Sequence, residues 1–224
     1  MTMAESIRFY FDPLCPWCYQ TSRWARRLGE LGVVDVEWRV FSLAIINDGV
    51  KGRAAADTGS APSLRTAIAV RNAHGNAAVG AFYKALSDAH HQRGLRVDDP
   101  GVIEAALRDA GIEPEVLGRA LDDPSTWEAV QAEHDQAVSV DKAFGVPTIV
   151  LDGGAGPQFF GPIINDVPDD VGAVSLWQHF AWMARNPNVA EIKRERASLD
   201  LESIRVWRRE REQREREKQA QPAA

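Results

Sequence analysis

The chain has 224 residues, of which 45% are hydrophobic and 26% are charged, a balance typical of a globular protein. Its formal net charge of -6 at pH 7 argues against a nucleic-acid partner, because such a partner favours a basic surface. No stretch approaches the roughly 18 uncharged apolar residues of a membrane span, and the first residues lack the basic and apolar regions of a signal peptide. We therefore expect a cytoplasmic protein that binds neither a membrane nor nucleic acid.

The first predicted elements alternate between strand and helix. Residues 6–11 (SIRFYF) are rich in aromatic side chains and predict a buried strand. A helical pattern follows from Cys15. Residues 33–43 (VVDVEWRVFSL) alternate apolar and charged side chains, which is the period of a half-buried strand. Residues 44–60 contain Asn-Asp-Gly and Gly-Ser turn signals and predict a loop.

A block of helices follows this loop. Three of the helices begin at or just after a proline that has an acidic residue upstream, as helix starts often do. The predicted helices cover residues 62–74, 77–91, 100–111, 114–121 and 124–144. The predicted elements after the block are a strand at 148–152, a tight turn at 153–156, a strand at 158–160 and a helix at 169–184.

Without the helical block, the element order is βαβ followed by αββα, which is the order of a thioredoxin fold. We therefore predict an α/β protein with a thioredoxin fold and an all-helical insertion. The predicted divisions are residues 1–54 with the CxxC motif, residues 55–122 as the insertion domain, residues 123–190 with a cis-proline loop, and residues 191–224 as a charged helical tail.

The tail has its own composition. Residues 205–218 contain seven Lys or Arg and four Glu residues, and charge runs of this kind are usually solvated. We expect a solvated helix, anchored by Ile204 and Trp207 and frayed at its end. A dimer contact or a partner-binding arm is the alternative.

Both cysteines of the chain lie in one motif, CPWC, at Cys15 and Cys18. If Cys15 caps the helix, Pro16 takes the first helical position, where its missing N–H is harmless. Cys18 then lies on the same face, within reach of a disulfide. The positive end of the helix favours a thiolate at Cys15. We predict that Cys15 attacks a substrate and that Cys18 resolves the mixed disulfide.

A metal site accounts less well for the two cysteines, because it would need further ligands. The adjacent His90 and His91 do not face one point on a helix, so we predict no metal. Two unrelated core cysteines would rarely fall at this spacing at a strand-to-helix junction. Thiol–disulfide chemistry accounts best for the motif.

A second feature supports redox chemistry. In thioredoxin folds a cis-proline before the third strand faces the CxxC motif, and Val146-Pro147 lies at that junction here. We predict a cis bond between these residues, with the Val146 backbone available to pair with a substrate. Of the aromatic pair Phe159 and Phe160, alternation along the strand predicts that only one lies near the site.

Six short motifs extend this picture. They are FDPLCPWC, SRW, SLAI, AHG, VPTI and FFGP, in this order along the chain. Together they resemble the DsbA-like thioredoxin-fold proteins and, more narrowly, the mycothiol-dependent nitroreductases, over about residues 6–190. The resemblance implies a cytoplasmic homodimer that takes electrons from the small thiol mycothiol and reduces nitroaromatic or nitroheterocyclic compounds.

The resemblance also implies roles for individual residues. Cys15 is the nucleophile and Cys18 the resolving thiol. The residues expected to bind substrate are Pro16, Trp17, Asn47, Val146, Pro147 and Thr148. Val146 stands where the resemblance leads us to expect threonine.

No bound cofactor is expected from the sequence. The glycines at 153–156 are too closely spaced for a dinucleotide fingerprint and precede a strand rather than a helix. We therefore expect no bound flavin or NAD(P), with NADPH entering only through a separate mycothione reductase.

Three competing functions stay open. The first is a DsbA-like protein disulfide oxidoreductase or isomerase, which the CxxC motif alone does not separate from a reductase of small electrophiles. The second is a glutathione-transferase-like isomerase, which would need no resolving thiol. The third is a redox-controlled binding module.

Overall fold

The computed structural model describes residues 4–49, 56–57 and 59–220. The elements in chain order are β1 (Glu5–Phe11), α1 (Pro16–Glu30), β2 (Val34–Val40), α2 (Leu43–Asp48), α3 (Ala61–His74), α4 (Asn76–Arg93), α5 (Pro100–Asp109), α6 (Val116–Asp122), α7 (Pro124–Ser139), β3 (Thr148–Val150), β4 (Gln158–Phe160), α8 (Asp170–Arg185) and α9 (Glu202–Ala220).

The four strands form one sheet in the order β2-β1-β3-β4. β1 pairs parallel to β2 and antiparallel to β3, and β3 pairs antiparallel to β4. With α1 between β1 and β2, and α8 after β4, this is the predicted thioredoxin topology. β1 therefore lies inside the sheet, and the CxxC motif follows directly from its end.

The helices α3, α4, α5 and α6 fall within the predicted insertion. Their apolar side chains join those of the sheet in one continuous core. Trp38 on β2 packs 5.7 Å from the Tyr83 ring on α4 and 5.2 Å from the Phe9 ring on β1, centroid to centroid. The start of the insertion at residue 55 lies outside the described residues, and the domain boundaries stay a prediction.

The loop predicted at 44–60 is wrong in its first part, because α2 occupies residues 43–48. The Ser42 side chain caps α2 by accepting from the Ile45 N–H. Gly49 ends the helix with a φ of 63°, a left-handed conformation that glycine adopts easily. The Asn-Asp-Gly signal therefore marks a helix end rather than a free turn. Residues 50–55 and 58 of this prediction lie outside the described residues.

Helix α7 also differs from its prediction, because it ends at Ser139 rather than Phe144. The chain turns away at Lys142, which has a φ of 51°. Phe144 is 72% exposed and stacks on Phe160 with ring centroids 5.0 Å apart. The contact with β4 thus places residues 140–144 in a loop that approaches the cis-proline.

The tail predicted as helical over residues 191–224 forms a helix over Glu202–Ala220, whereas residues 191–201 have no regular structure. Its anchors also differ from the prediction. Trp207 is 53% exposed and is not an anchor. Leu199, Leu201 and Ser203 are buried instead, and Ile204 packs partly buried beside the two leucines. The predicted fraying lies partly at residues 221–224, outside the described residues. None of the described helices is both long and apolar enough to cross a membrane.

Gly80 on α4 provides a test of this packing. A Cβ at Gly80 would lie 2.5 Å from Nε1 of buried Trp38, whereas a Cβ at Gly118 on α6 would meet no atom within 4 Å. We expect Gly80→Ala to lower the free energy of unfolding by about 1–3 kcal/mol through overpacking. Gly118→Ala should raise it by up to about 1 kcal/mol through helix propensity. Urea unfolding of both variants measures the difference, and equal stabilities would contradict the packing described.

Candidate active site

Cys15 and Cys18 lie at the N-terminal end of α1, and Cys15 caps the helix as predicted. Its backbone is extended, and its Sγ accepts a hydrogen bond from the Cys18 N–H at 3.3 Å. Pro16 occupies the start of the helix, where a missing N–H leaves no bond unmade. The unpaired N–H groups and the dipole at this end favour an anion. The sulfur of Cys15 therefore lies where the fold stabilises a thiolate.

The two thiols differ in acidity. Both are free, and Cys15 is 5% exposed while Cys18 is fully buried. A hydrogen bond from the Cys18 side chain lowers the pKa of Cys15 below its ordinary value, against the opposing effect of burial. Burial raises the pKa of Cys18 well above its ordinary value. Cys15 is therefore the thiol that ionises first, which is the asymmetry that a nucleophile and a resolving thiol require.

The predicted cis bond between Val146 and Pro147 is present. The Cys15 thiol donates a hydrogen bond to the Val146 carbonyl at 3.4 Å, so the loop faces Cys15. The buried hydroxyl of Thr148 donates to the Gly145 carbonyl at 2.8 Å and closes the loop on itself. The chain thus brings together two segments that are 131 residues apart in sequence.

Asp12 is a buried acid beside this pair, and its importance is not evident from the sequence, where it only ends a strand. One carboxylate oxygen accepts from the Leu14 N–H at 2.9 Å. The other accepts from the Leu43 N–H at 2.8 Å and from the Ser60 hydroxyl at 2.9 Å. Burial raises the pKa of Asp12 to about 6. Its negative charge raises the pKa values of both cysteines.

The other predicted substrate-binding residues differ in their exposure to solvent. Pro16 and Trp17 are partly buried, and Asn47 is exposed near the end of α2. Ile45 on the same helix is buried, and the Leu43 N–H donates to Asp12. Helix α2 therefore borders residues 12–15, which we call the motif loop. Substrate binding by Pro16, Trp17, Asn47, Val146, Pro147 and Thr148 stays a prediction.

Of the phenylalanine pair on β4, one residue lies near the site, as alternation predicts. Phe159 meets the Phe180 ring of α8 edge-on at 5.9 Å. Phe160 lies against Gly145 of the cis-proline loop, where an added Cβ would be 3.3 Å from its ring. The exposed Phe144 stacks on Phe160, and no sequence signal marks it.

His91 is a second residue that the sequence does not mark, because a pair of adjacent histidines suggests at most a metal site. It is 1% exposed, and its Nε2 lies 3.0 Å from the Pro13 carbonyl of the motif loop. Its ring stacks on Tyr19 of α1 with centroids 4.8 Å apart. His91 therefore joins α4 to both sides of the CxxC motif.

The described residues hold no group of three or more His, Cys, Asp or Glu side chains placed to bind a metal ion. The glycines after β3 form a 3-10 turn at Asp152–Gly154 that precedes β4 rather than a helix, so the dinucleotide geometry is missing from this turn. Two cavities of about 380 and 370 Å³ lie apart from Cys15 and Cys18, since neither cavity is lined by a cysteine.

A helix-capping thiol with a lowered pKa, a buried thiol one turn on and a facing cis-proline define a thioredoxin-fold thiol oxidoreductase. The sequence matches the Rv2466c-like family, described as the mycothiol-dependent nitroreductase Rv2466c, over residues 14–194. The chain belongs to this family.

The chain is also similar to a further protein in sequence and to solved structures in fold. The uncharacterized protein Rv2286c of Mycobacterium tuberculosis is 36% identical over 202 residues, covering 89% of this chain and 86% of that protein. The cytosolic disulfide reductase DsbM of Pseudomonas aeruginosa superposes with a TM-score of 0.57 at 18% identity, covering 80% of this chain and all of that one. A 2-hydroxychromene-2-carboxylate isomerase superposes with a TM-score of 0.56 at 16% identity, covering 83% of this chain and all of that one.

The source of the low Cys15 pKa can be tested by removing the Cys18 donor. We expect Cys18→Ala to raise the pKa of Cys15, because the hydrogen bond from the Cys18 thiol is the largest stabilising contribution to the thiolate. Cys18→Ser keeps a donor and should raise it less. Thiolate absorbance against pH measures both, and an unchanged midpoint in Cys18→Ala would contradict this origin.

Asp12 should give stability a pH dependence of known sign. The buried carboxyl keeps its proton to about pH 6, whereas an unfolded chain releases it near pH 4. The folded protein therefore binds the extra proton between these values, and the free energy of unfolding falls as pH rises through them. We expect a loss of about 3 kcal/mol across this window from this group, absent in Asp12→Asn. Carbon NMR of the Asp12 carboxyl gives a direct check, and titration near pH 4 would refute the prediction.

Proposed function

We propose that this chain uses mycothiol as its electron donor to reduce small electrophiles, including nitroaromatic and nitroheterocyclic compounds, with the Cys15 thiolate as the nucleophile. The observation that carries the proposal is the asymmetric pair: an acidified Cys15 beside a buried, protonated Cys18. Membership of the Rv2466c-like family supports mycothiol as the donor.

The proposed reaction is balanced over two half-reactions. Cys15 attacks the electrophile, and Cys18 then attacks the Cys15 sulfur to form a disulfide. The two thiols supply two electrons and two protons, so that a nitro group becomes a nitroso group and releases water. Two mycothiol molecules then reduce the disulfide by exchange and leave as mycothione. An NADPH-dependent mycothione reductase would return mycothione to mycothiol.

This chemistry needs no bound cofactor, and we propose that the protein binds neither flavin nor NAD(P) nor a metal. The donor and the disulfide exchange both belong to a reducing compartment, which favours a cytoplasmic location. We also propose a homodimer on the basis of the family resemblance. Light scattering at micromolar concentration would show a monomer if that part is wrong.

A second candidate is a DsbA-like protein disulfide oxidoreductase. It is favoured by the cis-proline loop, since the Val146 backbone could pair with an extended polypeptide once Cys15 releases its carbonyl. The low exposure of Cys15 favours a small substrate instead. An isomerase of the kind found on the same fold would not need Cys18. A redox-controlled binding module would change partner affinity without turnover.

The deciding experiment is nitrofuran turnover by the purified protein with mycothiol, glutathione or thioredoxin as donor. We expect turnover with mycothiol only, reduced to the buffer rate in Cys15→Ser and impaired in Cys18→Ser. Each variant is matched in size to the wild type, so loss of activity reports the thiol. The proposal is overturned in favour of the DsbA-like function if the protein exchanges with protein disulfides but does not reduce nitrofuran with mycothiol as the donor.

A further inference from the structure

The chain crosses back to the CxxC motif after α8, through residues 196–203, which we call the strap. The strap has no regular structure up to Leu201 and leads into α9. It lies beyond residue 194, where the match to the family ends. Its contacts with the motif therefore lie outside the range of the family match.

The first contact is with Trp17, the residue directly before Cys18. The Arg196 guanidinium lies over the Trp17 ring, 5.5 Å from its centroid. Leu199 and Leu201 are 6% and 9% exposed and pack with Tyr19, and Trp17 borders this group. Buried leucines hold a segment more firmly than an exposed charge does. The strap is thus fixed by its leucines and presents Arg196 to the motif.

The second contact runs through His91 to the motif loop. Nε2 of His91 faces the Pro13 carbonyl at 3.0 Å, and Nδ1 faces the Ser203 hydroxyl at 2.9 Å. A carbonyl can only accept, so Nε2 carries the hydrogen and Nδ1 accepts from Ser203. Burial lowers the pKa of His91 to about 3. The imidazole therefore stays neutral near pH 7. Ser203, His91 and Pro13 keep the same donor and acceptor roles at that pH.

The start of α9 holds the far end of the strap against α4. A Cβ at Gly94, the residue after α4, would lie 2.8 Å from Cγ2 of Val206 and 3.1 Å from Cγ of Glu202. Such an approach leaves room only for glycine. The strap and the start of α9 are therefore held at two places, beside Trp17 and at the end of α4.

We propose that the strap is a wall of the substrate site and determines its specificity, by excluding polypeptide disulfides from Cys15 while admitting small molecules. On this proposal, an extended polypeptide that pairs with the cis-proline loop would continue toward Trp17, where Arg196 and the leucines of the strap pack. Cys15 itself is only 5% exposed, which already limits the access of a bulky substrate. This inference rests on the proposed function for the identity of the small substrate.

The test compares Cys15 alkylation by N-ethylmaleimide with alkylation by a maleimide that carries a long polyethylene glycol chain. A Cys18→Ser background leaves one thiol. We expect Leu199→Ser with Leu201→Ser to raise the bulky-to-small rate ratio at least about tenfold. Tenfold corresponds to about 1.4 kcal/mol of docking free energy, less than one fully buried leucine contributes.

Two milder variants and one control show whether a changed ratio comes from the strap or from misfolding of the double variant. Arg196→Ala changes an exposed side chain, Ser203→Ala removes one hydroxyl, and each should raise the ratio less than the double variant. Trp207→Ala alters an exposed residue of α9 whose ring meets Arg211, outside the strap, and should leave the ratio unchanged. An unchanged ratio in all three strap variants, or the same rise in Trp207→Ala, would overturn the proposal.

The same variants separate this inference from the proposed function. Nitrofuran turnover with mycothiol is measured in parallel on the same strap substitutions made in a chain that keeps Cys18. If no protein turns over nitrofuran but the rate ratio shifts as expected, the proposed function fails and the strap proposal stands. If turnover is normal and the ratio does not shift, the strap proposal fails alone.

Discussion

The site depends on one buried carboxylate. Asp12 follows β1, an interior strand of the sheet, so its position is fixed by pairing on both sides. From there it accepts hydrogen bonds from the motif loop at Leu14, from the start of α2 at Leu43 and from the cap of α3 at Ser60. A buried carboxylate without such donors would be strongly unfavourable. The need to satisfy Asp12 therefore couples the redox motif to the helices that follow β2.

This arrangement sets two electrostatic effects against each other at Cys15. The Asp12 charge and burial disfavour a thiolate, whereas the Cys18 side chain and the N–H groups of α1 favour it. The stabilising groups prevail at Cys15 because they donate directly to its sulfur. Cys18 lies one turn further in, where burial dominates. A displacement of one helical turn is thus sufficient to separate the acidities of two chemically identical groups.

The sequence predicts best what local chemistry decides. The capping role of Cys15, the period of β2 and the proline before β3 all depend on nearby residues. Helix α2 is not predicted because the Gly49 signal is the same for a turn and for a helix end. The burial of Asp12, the stacking of Phe144 on Phe160 and the docking of Leu199 and Leu201 depend on contacts between distant segments. No local pattern contains that information, and for the same reason the prediction of Trp207 as an anchor is wrong.

The fold cannot by itself distinguish the functions that occur on it. Solved proteins with 16–18% identity and different stated activities superpose on most of this chain, and likeness at that level establishes the fold only. What selects among these functions must then lie in particular side chains rather than in the fold. For the proposed substrate choice, these are the aromatic pair Phe144 and Phe160 beside the cis-proline loop and the strap beside Trp17. Because they approach from distant parts of the chain, they can change without disturbing the helix cap or the buried thiol. Under the proposed function, substrate choice is therefore separable from thiol acidity, and one pair of thiols would serve different substrates.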